Sequence, residues 1–572
     1  MVISTITLSF IIALLPFAQS GLSALLINAL IKSFGTGIFS EAVLFLASLT
    51  AVSYFVPDMV YTLKGFVDKR IYLNISEKFQ LAYYKKKSEI DIQTFDNPAF
   101  NDMVNKAEDR GIWPIPNMIE AQFANIQNVV GVLTALTILV LFNWKICLIV
   151  IVAIIPQFIS QIRYSTEVWS IWDADTGMRR RYSDLKDHFD RKSYLIELKI
   201  FQNTTFFFKK IAKILQDFNK EQYKAEKHKL FFELATTLLS GVIIGFVIFW
   251  VIRQVVVGII AVGSMLFIIS SIQRLQGALG GFIMSVGRQH ELSLYVSNIF
   301  SIIETKQILP RNPNPIALGS STPEIVFENV SFKYPQGSSY ALKNISLTIK
   351  AGEKFALVGE NGAGKTTFVK LLARIYDPTE GRILIDGQDL KDIDLDEWYK
   401  NLGILLQDYS PYHFEVKNVI ALGRSDVPFD INWVTEAAKA SQSESFILKW
   451  KEKYEQMLGS DFEGGIDPSK GQSQRLAVAR LLHRKAGIMI LDEPTASIDA
   501  EAEKKIFDEI QKSSTGQTVI LISHKFSTVK NADRICVFKD TNVYEIGSHD
   551  QLIAQDGVYA RLFNEQAKSY TE

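Results

Sequence analysis

Long apolar runs fill the first half of the chain, and short apolar or alternating runs fill the second. A helix needs about 20 apolar residues to cross a bilayer core. Six stretches meet that length: 3–31, 41–63, 122–142, 146–164, 233–252 and 256–280. The first has a rival reading as a secretory signal. No Lys or Arg follows Met1 and the apolar pattern outlasts a normal signal core, so a first spanning helix is expected. Only Asn143, Trp144 and Lys145 part the third and fourth stretches, which predicts a tight hairpin; the fifth and sixth are expected to part around Arg253 and Gln254.

Two connections are long and basic. Residues 64–118 carry Lys64, Lys69, Arg70, Lys78, Lys85, Lys86 and Lys87, and residues 165–229 carry Arg179, Arg180, Arg181, Arg191, Lys192, Lys209 and Lys210. The other connections are short and nearly uncharged. The positive-inside rule therefore places both long connections and both termini in the cytoplasm. Each reads as helical with one break, at Asp96-Asn97-Pro98 and at Gln202-Asn203. These breaks are read either as short transverse helices touching a cytoplasmic domain or as solvated helix–turn–helix corners.

Polar side chains within the spans are functional candidates by default. Gln19, Asn28, Asp58, Gln127, Asn128, Glu233, Gln273, Arg274 and Gln276 are read as lining a water-filled path, with interfacial or helix–helix roles as the competing explanation for any single one. Pro57 and Pro156 are positions where a helix can kink.

Composition sharpens this division. The chain has 572 residues, 48% of them hydrophobic, which exceeds one ordinary core. Its mean hydropathy of +0.12 averages an apolar and a polar half. Formal net charge is zero, so bulk charge offers nothing to nucleic acid, and none is expected as a partner. The two cysteines, Cys147 and Cys536, exclude a disulfide scaffold and a CxxC metal site.

After a Pro-, Asn- and Ser-rich stretch, the segment from Lys354 to Ile375 reads strand, glycine-rich turn, helix, with the spacing GxxxxGKT. Gly359, Asn361, Gly362 and Gly364 let backbone N–H groups close around phosphates. Lys365 adds charge, the Thr366 and Thr367 hydroxyls follow, and the next helix presents its positive end. Thr366 is placed to ligate Mg²⁺ beside the phosphates of ATP. Farther on, the apolar run Ile488–Leu491 ends at Asp492, a second Mg²⁺ ligand, and Glu493, a general base for the attacking water. Another apolar strand ends at His524, placed to contact the γ-phosphate. An exposed acidic pair and a structural histidine are the bland alternatives, and the order of the motifs argues against both.

In this order the motifs resemble the ATP-binding cassette, and the whole chain resembles a type IV (exporter-fold) ABC half-transporter, loosely of the bacterial peptide and lantibiotic exporter kind. The resemblance implies a six-span α-helical domain with long cytoplasmic extensions fused to an α/β P-loop cassette. The expected boundaries are 1–305, a linker at 306–323, and 324–572. It implies that Tyr334 stacks on adenine, that Gln407 senses the γ-phosphate and shares the metal, and that Ser497-Ile498-Asp499 forms the D-loop. The segments IDIQTFDNPAF and ELKIFQN become coupling helices. Ser469, Gly471 and Gln472 become the signature that closes on the ATP of a partner cassette, with DFEGG ahead of it facing the intracellular loops. The usual LSGGQ reads Pro468-Ser469-Lys470-Gly471-Gln472 here, so Lys470 departs from the pattern. Two partnerships stay open: a homodimer, which is favoured, and a heterodimer with one degenerate site. The implied activity is ATP-driven export of a peptide, lipid or amphipathic small molecule by alternating access across the plasma membrane. An exporter-fold importer and an ATP-gated channel share every motif named. No peptidase-like domain precedes the first span, so leader cleavage by this chain is not expected.

Overall fold

The computed structural model describes residues 1–36, 40–111, 113–173, 176–494, 500–513 and 516–569. It divides into two compact units, residues 1–89 with 102–305, and residues 90–101 with 306–572.

The first unit is helical throughout. Its elements are α1 (Val2–Thr36), α2 (Glu41–Glu89), α3 (Pro98–Arg110, which begins in the other unit), α4 (Pro114–Asp173), α5 (Thr176–Asp190), α6 (Lys192–Ile200), α7 (Thr204–Val256) and α8 (Val262–Ile303). Among the described residues five helices are long and apolar enough to cross a membrane. The fourth predicted stretch, 146–164, continues in α4 after a non-helical residue, Asn143, at φ −164° and ψ 109°. The Asn143 side chain accepts the Lys145 N–H at 2.9 Å, which satisfies a free donor at the restart. Leu139 before the break and Cys147 and Val150 after it share one buried cluster with Val251 of α7 and Ile272 and Leu275 of α8.

At 49 residues, α2 extends about 73 Å, more than twice the bilayer core, so it continues far past its apolar part. The break between the fifth and sixth stretches is not where the charge pattern put it. Arg253 and Gln254 complete the last turn of α7, and the chain reverses over 257–261. Gly258 at φ 79° allows the left-handed helix end, with Ile259 N–H bonded to Gln254 O at 2.9 Å and Gly258 N–H to Val255 O. Arg253 sits well there, since a cation in the last turn complements the carbonyl end of the helix.

Helices α1 and α8 approach closely. A Cβ built on Gly263 would lie 2.1 Å from Ala24 O. Asn28 Oδ1 accepts the Gly263 N–H at 2.8 Å, capping the start of α8 from a neighbouring helix. Asn28 is therefore an interhelical bond rather than a free polar lining. Small residues at such crossings let helix backbones meet in membranes. Gly263→Leu should part the two helices and lower the thermal midpoint of the detergent-purified protein by several degrees. An unchanged midpoint would contradict the packing.

The second unit holds two sheets. One is antiparallel, in the order β2 (Leu342–Ile349), β1 (Ile325–Phe332), β4 (Glu380–Ile385), β5 (Gln388–Asp389). The other runs β10 (Asn542–Gly547), β9 (Arg534–Lys539), β3 (Lys354–Gly359), β8 (Thr518–Ile522), β7 (Ile488–Asp492), β6 (Leu402–Leu405), parallel except for β10. The burial of β7 and β8 at every residue is what a parallel strand covered on both faces requires. Trp398 is fully buried, and its indole N–H donates to Leu372 O at 3.0 Å, closing the helix that follows β3.

Residues 90–101 belong to the second unit. The segment Ile92–Asp96 forms one 3₁₀ turn. Asp91 accepts the N–H groups of Ile308 and Leu309 at 2.5 and 3.0 Å, and the Tyr376 hydroxyl donates to Asp96 at 2.6 Å. The first break is thus held in the second unit by two carboxylates, Asp91 on the stretch expected as linker and Asp96 on Tyr376. The stretch expected as a linker is pinned as well: Ile316 exchanges backbone bonds with Asp392 and Asp394, and the buried Arg374 donates to Pro310 O at 2.8 Å. At the second break α6 ends at Ile200. Gln202, at φ 57°, makes the reversal, with Asn203 N–H on Leu198 O.

Candidate active site

In parallel α/β sheets ligand clefts form beyond the carboxyl ends of the strands. Here β3, β8 and β7 lie side by side, with Leu357 paired to Ile522 and Ile522 to Asp492. Their ends deliver the glycine-rich loop, His524 and the acidic pair to one cleft of about 520 Å³. Tyr334, Asn361, Gly362, Gly364, Lys365, Thr366, Thr367, Gln407, Asp492, Glu493 and His524 line it.

The loop is committed to its shape. Gly364 sits at φ 104°, and a Cβ there would fall 2.5 Å from Leu342 Cδ2 and 2.7 Å from Ala341 O. The helix Lys365–Leu372 starts immediately after it, so that free N–H groups face the cleft. Lys365 is 7% exposed, and its ammonium donates to Gly359 O at 2.8 Å and Glu360 O at 2.9 Å. Burial lowers its pKa, while the nearby charges of Glu493 and Asp492 act the other way. Gly359 itself underlies the loop rather than lining the cleft.

Glu493 stands at φ 48°, a costly conformation for a non-glycine residue, held by its N–H bond to Ile522 O at 2.9 Å. Both carboxylate oxygens are engaged. His524 Nε2 lies 3.0 Å from Oε1, and the Gln407 amide donates to Oε2 at 3.0 Å. Burial and then the charge of Lys365 hold the imidazole below its usual range, against the pull of Glu493. A neutral ring that donates from Nε2 fits this contact. Asp492 is 2% exposed; its carboxyl accepts the Thr366 hydroxyl at 3.3 Å, and burial pushes its pKa up despite that bond.

The Tyr334 ring is held edge-on to Phe332 at 4.9 Å and to Tyr376 at 5.3 Å, with the Lys370 ammonium 5.5 Å from its centre. Its hydroxyl lies 3.2 Å from that of Thr367.

Ser469, Gly471 and Gln472 do not line this cleft. Ser469 caps the helix Lys470–Arg484 in a reciprocal box with Gln472, at 3.3 and 2.9 Å. Lys470 takes the first helical position without disturbing the cap. Ser497, Ile498 and Asp499 lie outside the described residues.

Two residues were missed in the sequence. Gln474, buried in the same helix, donates to the backbone carbonyl of Glu493 at 3.2 Å. Tyr376 joins Asp96 to the Tyr334 ring. Gln474 is reachable in principle from its offset in the signature helix. Tyr376 bonds a residue 280 positions away, and no local pattern announces that.

The arrangement is that of a P-loop cleft, a glycine-rich loop and a helix start facing an acidic pair across parallel strand ends. The ABC transporter family matches residues 342–496. The subtilin transport ATP-binding protein of Bacillus subtilis is 28% identical over 97% of this chain and 90% of its own length. The ATP-dependent lipid A-core flippase of Methylobacillus flagellatus is 32% identical over 64% of this chain and 61% of its own. A solved bacterial Atm1-family ABC exporter with ATP bound shares the fold, with a TM-score of 0.83, 24% identity and 98% coverage of both chains. The protein is an ABC transporter half of the exporter fold, an ATPase coupled to transport. It is a multi-pass membrane protein whose ATPase domain is cytoplasmic.

Proposed function

We propose that two copies of this chain form a plasma-membrane exporter that moves a peptide outward, driven by ATP. The observation that carries the cargo reading is the subtilin transport relative, matched over 90% of its length, whereas the flippase match stops at 61%. The paired-copies reading is supported by the cleft, which gathers Lys365, Thr366, Asp492, Glu493 and His524, and by the intact Ser469 cap in spite of Lys470.

In this reading the P-loop N–H groups and Lys365 hold the ATP phosphates, and Tyr334 offers its ring face to adenine. The hard oxygen pair of Thr366 and Asp492, 3.3 Å apart, fits Mg²⁺, with Gln407 beside them. The metal, when bound, neutralises phosphate charge. Glu493 takes the proton of the attacking water, and His524 orients the γ-phosphate. Each Glu493 oxygen accepts one bond and keeps a second lone pair, so the water can be engaged beside Gln407 and His524. Ser469, Gly471, Gln472 and Asp499 act on the ATP of the partner cassette. A ligand shifts only an equilibrium whose states it binds unequally, and tighter ATP binding to the closed pair turns the cavity outward.

The test is ATP-dependent uptake of a fluorescent amphipathic peptide into inside-out proteoliposomes holding this chain alone. Uptake that Glu493→Gln abolishes supports the proposal. ATP turnover without uptake rejects the peptide. ATP binding without turnover points to a different second half.

The docked turn yields a separate prediction. Tyr376→Phe removes the hydroxyl on Asp96 and keeps the ring beside Tyr334. Basal turnover should stay within about twofold, while stimulation by cargo falls severalfold. Full stimulation would show that the bond carries no coupling.

A further inference from the structure

Arg274 is an ionisable residue inside a predicted span. It lies twelve residues from the start of α8 at Val262, about 18 Å along a helix that crosses a core roughly 30 Å thick. A charge at that depth is retained where it faces a bundle interior and finds an opposite charge. Among the described residues Arg274 makes no ion pair. Its guanidinium carbon sits 5.6 Å from the centre of the Phe17 ring of α1, and its Nε is buried without a hydrogen-bond partner. The ring steadies the cation but offers no acceptor. Along α8 Gln273 is exposed on one side of it and Gln276 is half-buried toward the other, so this stretch of the span surface carries polar side chains. Lipid tails would not sustain that surface, whereas a wet cavity would. What the site lacks is an anionic group with two acceptor oxygens, which a planar guanidinium binds in a fork.

We propose that Arg274 is the cargo anchor, and that it takes a carboxylate of an acidic segment in the transported peptide. This rests on the peptide reading above and adds the charge class of the cargo. A carboxylate brought to Arg274 supplies the missing acceptor and neutralises the intramembrane charge. The cargo would therefore enter by its acidic part, with apolar residues on the rest of the span surface.

The experiment uses the full chain in nanodiscs and a fluorescent amphipathic peptide with two aspartates, beside a twin in which both are asparagine. Anisotropy reads their affinities for wild type, Arg274→Gln and Arg274→Lys. A lysophosphatidate and a lysophosphatidylcholine are run as competitors. Wild type should bind the aspartate form about tenfold more tightly or better. That preference should vanish in Arg274→Gln and survive in part in Arg274→Lys, with basal ATP turnover unchanged in both. Equal binding of the twins by wild type, or a preference that persists in Arg274→Gln, overturns the anchor and leaves the peptide reading standing. If neither peptide binds and lysophosphatidate alone binds through Arg274, the peptide reading falls and this occupant with it. The Lys variant guards against a folding defect: loss of all binding in Gln with retention in Lys still reports on the charge.

Discussion

Glu493→Gln should bind ATP with near-normal affinity and hydrolyse it about 10²–10⁴ times more slowly, the usual worth of a positioned general base. The substitution keeps shape and removes basicity. The backbone of residue 493 is held by Ile522 O and by Gln474, neither of which touches the side chain, so the turn after β7 should persist. The resting contacts should not persist equally. Glu493 accepts from both Gln407 and His524, whereas a glutamine has one acceptor oxygen and an amide that faces one donor with another. One of the two contacts is therefore lost, and the cleft should admit nucleotide at least as readily. Steady-state turnover and equilibrium binding of a fluorescent ATP analogue, measured on one preparation, separate these effects. Turnover within a few fold of wild type would remove Glu493 as the base.

The site was legible in the sequence because its parts are local. The loop from Gly359 to Thr367, the acidic pair at the end of β7 and the His after β8 each occupy one short run that follows a mostly apolar strand. The parallel register then brings the runs together without further information. The long apolar helices were legible for the same reason, since length and apolarity are local quantities, and five of the described helices meet both. What escaped the reading is nonlocal. The α7–α8 reversal was misplaced because Arg253 and Gln254 look like loop residues, yet a last-turn arginine suits a helix end, and Gly258 was the true stop signal. Residues 306–323 read as linker from Pro, Asn and Ser content, but Asn312 and Ile316 have partners near residue 392. Asn28 read as either a cavity or a helix–helix residue because polarity inside a span carries no direction; the Gly263 N–H facing it favours the second. Arg274 shows the converse case. Its type and depth were visible, and the structure adds that no acidic group among the described residues answers its charge.

Lys365→Ala should weaken ATP binding on the order of a hundredfold and take turnover down with it. A charge-assisted hydrogen bond in a partly buried site contributes about 1.5–3 kcal/mol, and a phosphate-binding lysine makes such bonds to an anion. The side chain is poised for that. It bonds the carbonyls of Gly359 and Glu360, which line its path along the loop, and it is nearly buried before any phosphate is present. Removing it has two consequences. The phosphates lose a cation, and two loop carbonyls lose their donor. The second effect acts on the empty protein, so the thermal midpoint should fall slightly while the ATP-induced rise in midpoint nearly disappears. Lys365→Arg separates the two effects. It restores positive charge, but its larger planar head must fit a space that a buried ammonium fills, so affinity should recover only in part. If Lys365→Ala bound ATP as wild type does, the loop would be a structural turn, and the phosphate site would have to be sought elsewhere on the cassette.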